Sequence, residues 1–132
     1  MSKLDVTDEL AIGAVVQKLV DAWHRTDAAA FASAFAHDAD FYNVFAQRLC
    51  GRDAIACHHD RLFAGVYRDT RITDVDLSIR SAGADVAVVT WSSILQVGGE
   101  HRRAHALSVF VRATGGWEIL SLQNMAPLSA PA

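Results

Sequence analysis

The stretch DVAVVTWSSILQV, residues 85–97, decides the fold class of this chain. Its β-branched and aromatic residues indicate a strand, and it is longer than the usual strand of about five or six residues. Similar stretches occupy residues 70–80, 102–113 and 116–125, separated by the turns SAGA, GGEH and TGG. The second half of the chain therefore predicts a meander of four long strands, which must twist and curve within one small sheet.

The first half of the chain carries helical patterns and one strand. Apolar residues recur at helical spacing over residues 8–25, for which Thr7 is the expected N-cap, and a shorter helix is expected over residues 28–35. Residues 39–46 alternate like a strand, and residues 52–63 predict a third helix. We therefore expect an α+β fold, with helices laid on one face of a bent antiparallel sheet.

Length and composition bound the remaining possibilities. The 132 residues have the size of one domain, with a core over residues 8–126 and a flexible tail at 127–132. A net charge of −3 and scattered basic residues argue against a nucleic-acid partner. No stretch approaches the roughly 18 apolar residues of a membrane span, and the N-terminal segment lacks the pattern of a secretion signal. We expect a cytoplasmic protein without a membrane partner.

Both faces of the last strands are apolar. Trp117 and Ile119 alternate with Leu120 and Leu122, whereas a half-solvated sheet would alternate apolar with polar residues. The helices can cover only one of the two faces. We therefore predict a homodimer that packs through the outer face of the sheet.

Three segments carry a resemblance to a known family. The segment AWHRTDAAAFASAFAHDADF resembles the entry segment of the nuclear transport factor 2-like superfamily. The segments NVFAQRLCGRDAI and HDRLF are similar to its SnoaL-like branch, and GGWEILSLQNM resembles the closing strand of the SgcJ/EcaC type. The resemblance implies a cone-shaped sheet of the cystatin-like roll type, with three helices on its concave face around a pocket, and frequent dimers. It implies no particular reaction, because one fold hosts many chemistries.

Two mechanisms known among such relatives do not fit these residues. The position of the isomerases' catalytic Asp corresponds to Asn43, which cannot accept a proton at neutral pH. The epoxide hydrolases need acids inside the cone, whereas Glu118 is predicted to point outward. No Gly-rich dinucleotide fingerprint is present, so we predict no cofactor.

His59 is the candidate for acid–base chemistry. It lies on the core-facing stripe of the third predicted helix, while the adjacent His58 is rotated by about 100° and is expected to be solvated. The alternative is a buried histidine that is satisfied by a backbone carbonyl. A metal site built from His58, His59, His101 and His105 is conceivable, but adjacent helix residues diverge and we predict no metal.

Two amides and several aromatic residues complete the predicted pocket. The amide side chains of Asn43 and Gln123 are expected to lie on the otherwise apolar inner face of the sheet, where they would stabilise an enolate-like oxygen. His105 is in phase with Leu107 and faces either the pocket or the dimer contact. The predicted apolar wall consists of Trp23, Phe41, Phe45 and Trp91.

The sequence thus predicts a domain that binds a small, largely apolar, oxygen-bearing molecule. Catalysis of proton transfer, cyclisation or dehydration with His59 as acid–base is left open. The alternative is a non-catalytic dimeric binding or assembly module whose pocket is filled by side chains. A cavity smaller than one small molecule would favour the filled pocket, and a cavity of about 300 Å³ or more would favour a ligand pocket.

Overall fold

The computed structural model describes residues 4–128. Most of the predicted flexible tail, residues 129–132, lies outside the described part. The elements in chain order are α1 (Val6–His24), α2 (Ala28–Ala32), β1 (Phe35–Tyr42), β2 (Arg48–Cys50), α3 (Arg52–Ala64), β3 (Arg71–Ser81), β4 (Val86–Val97), β5 (Glu100–Ala113) and β6 (Gly116–Met125). This order confirms the α+β class and the meander of four long strands. None of the described helices has the length and apolar character needed to cross a bilayer.

The six strands form one mixed sheet in the order β2-β1-β6-β5-β4-β3. The meander from β3 to β6 is antiparallel, β2 pairs antiparallel with β1, and β1 runs parallel to β6. Helix α1 packs against β3 and β6, while α3 packs against β1 and β2. The helices therefore cover one face of the curved sheet, as predicted, and the large core side chains lie between the two layers. The largest fully buried apolar ones are Ile12, Phe35, Phe41, Ile55, Phe110 and Ile119.

The ends of the first two helices differ from the predicted ones. Helix α1 is capped by Asp5, not Thr7, because the carboxylate of Asp5 accepts from the Asp8 amide at 2.8 Å and Asp8 returns the bond. Asp27 caps α2, but that helix ends at Ala32 and not at residue 35. Phe35 instead opens β1 and pairs with Ile119, so strand pairing prevails over the helical spacing of the phenylalanines.

A β-bulge in β6 reverses the expected direction of its last side chains. Phe110 pairs with Ile119 and Val109 pairs with Ser121, so Leu120 has no partner on β5. After this extra residue, Leu122 turns into the core on the same side as Trp117 and Ile119, whereas the unbroken alternation expected from the sequence would place it on the opposite face. The same shift places Asn124 on the inner face.

Candidate functional site

A cavity of about 240 Å³ lies between α1, α3 and the half of the sheet that carries Trp91 and Leu122. Its apolar wall includes Val16, Leu19, Trp23, Phe31, Phe41, Leu62, Tyr67, Ile72, Trp91, Leu95 and Leu122. Its lining residues with polar side chains are Asn43, Gln47, His58, His59, Ser93 and Asn124, together with Tyr67, whose ring is apolar and whose hydroxyl is polar. Asp, Glu, Lys and Arg are absent from the described residues that line it.

The size of the cavity suits a small organic molecule. An engineered apolar cavity of about 150 Å³ binds benzene, whereas pockets for drug-sized ligands begin at about 300 Å³. The value of about 240 Å³ lies between these limits. It corresponds to a molecule of one or two rings.

Helix α3 places His59 at the bottom of this cavity. Ile55, His59 and Phe63 are the buried residues of the helix and follow one another at intervals of four, which forms a single stripe. Nδ1 of His59 lies 2.8 Å from the carbonyl oxygen of Ile55. Because a carbonyl oxygen only accepts, Nδ1 carries the proton and Nε2 is left as an acceptor.

The Nε2 atom of His59 faces the cavity. Within residues 4–128 the ring makes no hydrogen bond other than that of Nδ1. No side-chain nitrogen or oxygen in the described part of the chain is both sealed from solvent and without a partner. The unpartnered Nε2 therefore has accessible surface, and the cavity is what His59 lines.

Aromatic rings fix the orientation and the charge of His59. The imidazole stacks on Phe31 with centroids 4.1 Å apart, and Phe41 meets it edge-on at 5.1 Å. Burial lowers the pKa of His59 to about 4, although the bond to Ile55 opposes this and the nearby His58 adds to it. His59 is therefore neutral at neutral pH, and its exposed fraction is only 2%.

His58 lies closer to the cavity than the sequence predicts. It is half-buried, lines the cavity, and its ring centroid is 5.5 Å from that of His59. Burial lowers the pKa of His58, and the charge of Arg61 lowers it further. The expectation that His58 is a solvated neighbour is therefore wrong.

Asn43 stabilises a turn and does not point a free amide into the pocket. Its Oδ1 accepts from the backbone amides of Phe45 and Gln47, both at 3.0 Å, and its Nδ2 donates to Gln47 Oε1 at 2.8 Å. Strand β1 therefore ends at Tyr42, because the asparagine side chain offers the backbone a turn in place of the strand ladder. Phe45 stands at the rim of the cavity with 77% of its surface exposed, so it is not a buried wall residue.

The remaining predicted residues divide into two groups. Trp23, Phe41 and Trp91 line the cavity as expected, and Trp23 is fixed by a 2.9 Å bond from its Nε1 to Thr70 Oγ1. Gln123 is exposed, because the bulge at Leu120 turns it to the outer face.

His105 is also exposed and pairs on the outer face with Met125, so it is not a ligand residue of the cavity. In the described part of the chain, no three His, Cys, Asp or Glu side chains form a group that could hold a metal ion.

Four residues with polar side chains that line the cavity were missed by sequence reasoning: Gln47, Tyr67, Ser93 and Asn124. Ser93 and Asn124 both line it, and within the described residues neither side chain makes a hydrogen bond. The signal for Ser93 was present, since it is in phase with Trp91 and Leu95 on one strand. Asn124 could be found only by locating the bulge.

Comparison with known proteins places the chain in a family. The model of the SnoaL-like domain family matches residues 12–128. No curated protein matches the chain. A domain of unknown function with a cystatin-like fold from Nostoc punctiforme is 30% identical, with a TM-score of 0.87 over 96% of this chain and 81% of that chain.

More distant structures show the same fold. A candidate dehydratase of the nuclear transport factor 2-like family from Streptomyces avermitilis is 20% identical, with a TM-score of 0.81 over 93% of this chain and 98% of that one. A candidate scytalone dehydratase from Novosphingobium aromaticivorans is 15% identical, with a TM-score of 0.80 over 93% and 86% of the two chains. The predicted SgcJ/EcaC subtype stays a prediction.

Proposed function

This chain belongs to the SnoaL-like domain family, and we propose that it binds a small, largely apolar, oxygen-bearing molecule in the cavity above His59. The observation that carries this proposal is one unpartnered imidazole nitrogen facing about 240 Å³ of aromatic-walled space. A pocket with an apolar wall and a few converging polar atoms is the usual form of a small-molecule site. The volume of about 240 Å³ is below the expected value of about 300 Å³, but it exceeds that of a cavity that holds benzene, and this supports an open pocket over the alternative module, whose pocket would be filled by its own side chains.

The proposal is tested by filling the cavity. Ser93→Phe places a ring in the cavity, whereas Ser78→Phe makes the same change at an exposed position on β3. We would measure thermal shifts with a panel of neutral one- and two-ring alcohols and phenols, together with native mass spectrometry of the purified proteins. We expect wild type and Ser78→Phe to bind members of the panel and Ser93→Phe to bind none. Binding that is unaffected by Ser93→Phe, or no binding by wild type, contradicts the proposal.

Acid–base catalysis is the second candidate function. It is favoured by the fixed tautomer of His59, whose Nε2 can accept a proton from a bound molecule. A pKa of about 4 makes His59 a weak base at neutral pH, so binding is the leading proposal. Asn43 and Gln123 are not placed to stabilise an enolate-like oxygen, and Ser93 and Asn124 take that part in the proposed cyclisation or dehydration. Unchanged turnover of a substrate by His59→Gln would exclude this candidate.

We also propose that the chain forms a homodimer through the outer sheet face, meaning the side chains of β4–β6 that point away from the helices. Leu107 and Met125 are exposed on this face by 42% and 37%. Size-exclusion chromatography with light scattering tests the proposal. We expect a wild-type dimer, a monomer for Leu107→Glu, and a dimer for Leu10→Glu on the exposed side of α1. A monomeric wild type contradicts it.

A further inference from the structure

The fold determines whether the His59 imidazole donates or accepts a hydrogen bond in the cavity. The Nδ1 proton of His59 is committed to the Ile55 carbonyl at 2.8 Å, and the ring is held by Phe31 at 4.1 Å between centroids. The imidazole can therefore present only a lone pair to the cavity. A bound molecule makes a hydrogen bond there only by donating one.

The charge of the bound molecule is restricted by the lining. Among the described lining residues there is no Asp, Glu, Lys or Arg to compensate an ionised group. A carboxylate or ammonium group without a partner is costly to remove from water. A carboxylate would also face the lone pair of Nε2. The lining therefore selects a neutral molecule.

The shape of the molecule follows from the wall. Trp23, Phe41 and Trp91 contribute flat rings around a space of about 240 Å³. Aromatic side chains favour offset-stacked or edge-on contacts with a ring. Ser93 and Asn124 leave room for one additional polar substituent on the sheet side of the cavity.

On the basis of the function proposed above, we infer that the ligand is a neutral one- or two-ring compound whose hydroxyl group donates a hydrogen bond to Nε2 of His59. The hydroxyl thereby sets the orientation of the ring in the cavity. Carboxylic acids of the same size are rejected, and ethers of the same size bind without this bond.

Three matched probes test this inference by isothermal titration: 2-naphthol, 2-methoxynaphthalene and 2-naphthoate. We expect 2-naphthol to bind about 3- to 10-fold more tightly than the methyl ether, which corresponds to one hydrogen bond. We expect 2-naphthoate to bind at least about 10-fold more weakly than 2-naphthol. In His59→Phe the preference for the hydroxyl over the ether should fall to about one. His37→Phe, on the exposed side of β1, should keep the wild-type preference.

The outcomes separate the ligand class from the proposed function. Equal affinity of wild type for all three probes overturns the hydroxyl inference and leaves a small-molecule pocket in place. A hydroxyl preference that survives in His59→Phe also overturns it. Binding of none of the probes and of no member of the broader panel overturns both proposals. If His59→Phe does not fold by circular dichroism, His59→Met serves instead, because its flexible side chain fills the same space without an imidazole acceptor.

Discussion

Two parts of the sheet, which we call the Trp117 end and the Trp91 end, contain a tryptophan on β6 and on β4 respectively, in different electrostatic surroundings. At one end Trp117 lies under the Arg112 guanidinium at 4.6 Å and donates to Asp8 Oδ1 at 3.3 Å. Arg112 also pairs with Asp8 and Asp85, both at 2.9 Å, and its hydrogen bond lowers the pKa of Asp8. At the other end Trp91 faces a cavity whose described lining is uncharged.

The comparison indicates that side chains at the Trp117 end stabilise the fold, whereas side chains at the Trp91 end are available for binding. At the Trp117 end the polar atoms are paired and the indole is buried. At the Trp91 end several described polar groups that line the cavity have no hydrogen-bond partner, among them Nε2 of His59 and the side chains of Ser93 and Asn124. Changes at the Trp117 end should therefore alter folding, and changes at the Trp91 end should alter binding.

Removal of the two indoles should give the largest contrast. Trp117→Ala should lower the free energy of unfolding by about 3–5 kcal/mol, the usual effect of truncating a large buried aromatic residue. Trp91→Ala should lower it by only about 1–2 kcal/mol, because the half-buried indole already faces the cavity. Urea denaturation measures both values. Equal losses, or a larger loss for Trp91→Ala, would remove the distinction between the two ends.

The second prediction concerns acid and His59. Because the pKa of His59 falls from 6.5 to about 4 on folding, the unfolded chain binds more protons than the folded one between these values. The free energy of unfolding should therefore fall by up to about 3 kcal/mol between pH 6.5 and pH 4 and be unaffected by His59 above that range.

Urea denaturation at several pH values tests this in wild type and His59→Gln. His58 is the other titratable ring beside His59, and its shift has the same sign. We expect a steeper pH dependence in wild type than in the variant. Parallel curves would show that His59 is not held neutral by burial.

The turn at the rim of the cavity should have a smaller effect. Asn43→Ala removes a side-chain oxygen that accepts from two backbone amides, so we expect a loss of about 1–2 kcal/mol in the free energy of unfolding. Thermal denaturation provides the measurement. Asn43→Asp retains the acceptor oxygen and should recover most of the loss. If Asn43→Asp were as unstable as Asn43→Ala, the stability of the turn would not depend on these bonds.

The smallest predicted effects test the bulge in β6. Gln123→Ala should change stability by less than about 0.5 kcal/mol and leave binding of 2-naphthol unchanged, because Gln123 is exposed. Asn124→Ala should change the affinity for 2-naphthol by about 3-fold in either direction, since Asn124 lines the cavity. If Gln123→Ala changed the affinity for 2-naphthol and Asn124→Ala did not, the side chains of β6 would alternate without a bulge.

Local spacing was sufficient to predict the meander, the third helix and the burial of His59. These features depend on periodic apolar residues, and Ile55 and His59 fall on the same side of any helix through them. The location of Gln123 was not accessible in this way. The bulge at Leu120 is set by the register of β6 against the neighbouring strand β5, and alternation within β6 alone does not reveal which residue lacks a partner there.

The turn at Asn43 shows a second limit of the sequence. Residues 39–46 alternate as a strand does, yet the asparagine side chain bonds to the amides of Phe45 and Gln47 and ends the strand. For His105 the sequence established the phase with Leu107 but not the face, because both sides of β5 carry apolar residues. Its exposure follows from the position of the helices on the opposite face.

The protonation state of His59 decides whether its Nε2 can accept a hydrogen bond from a molecule in the cavity, and it can be measured directly. We would record the nitrogen resonances of ¹⁵N-histidine-labelled protein as a function of pH. We expect His59 to carry its proton on Nδ1, to leave Nε2 without a proton, and to stay neutral from pH 7 to about pH 5. A proton on Nε2 at neutral pH, or titration of His59 near the ordinary imidazole value, would contradict this expectation.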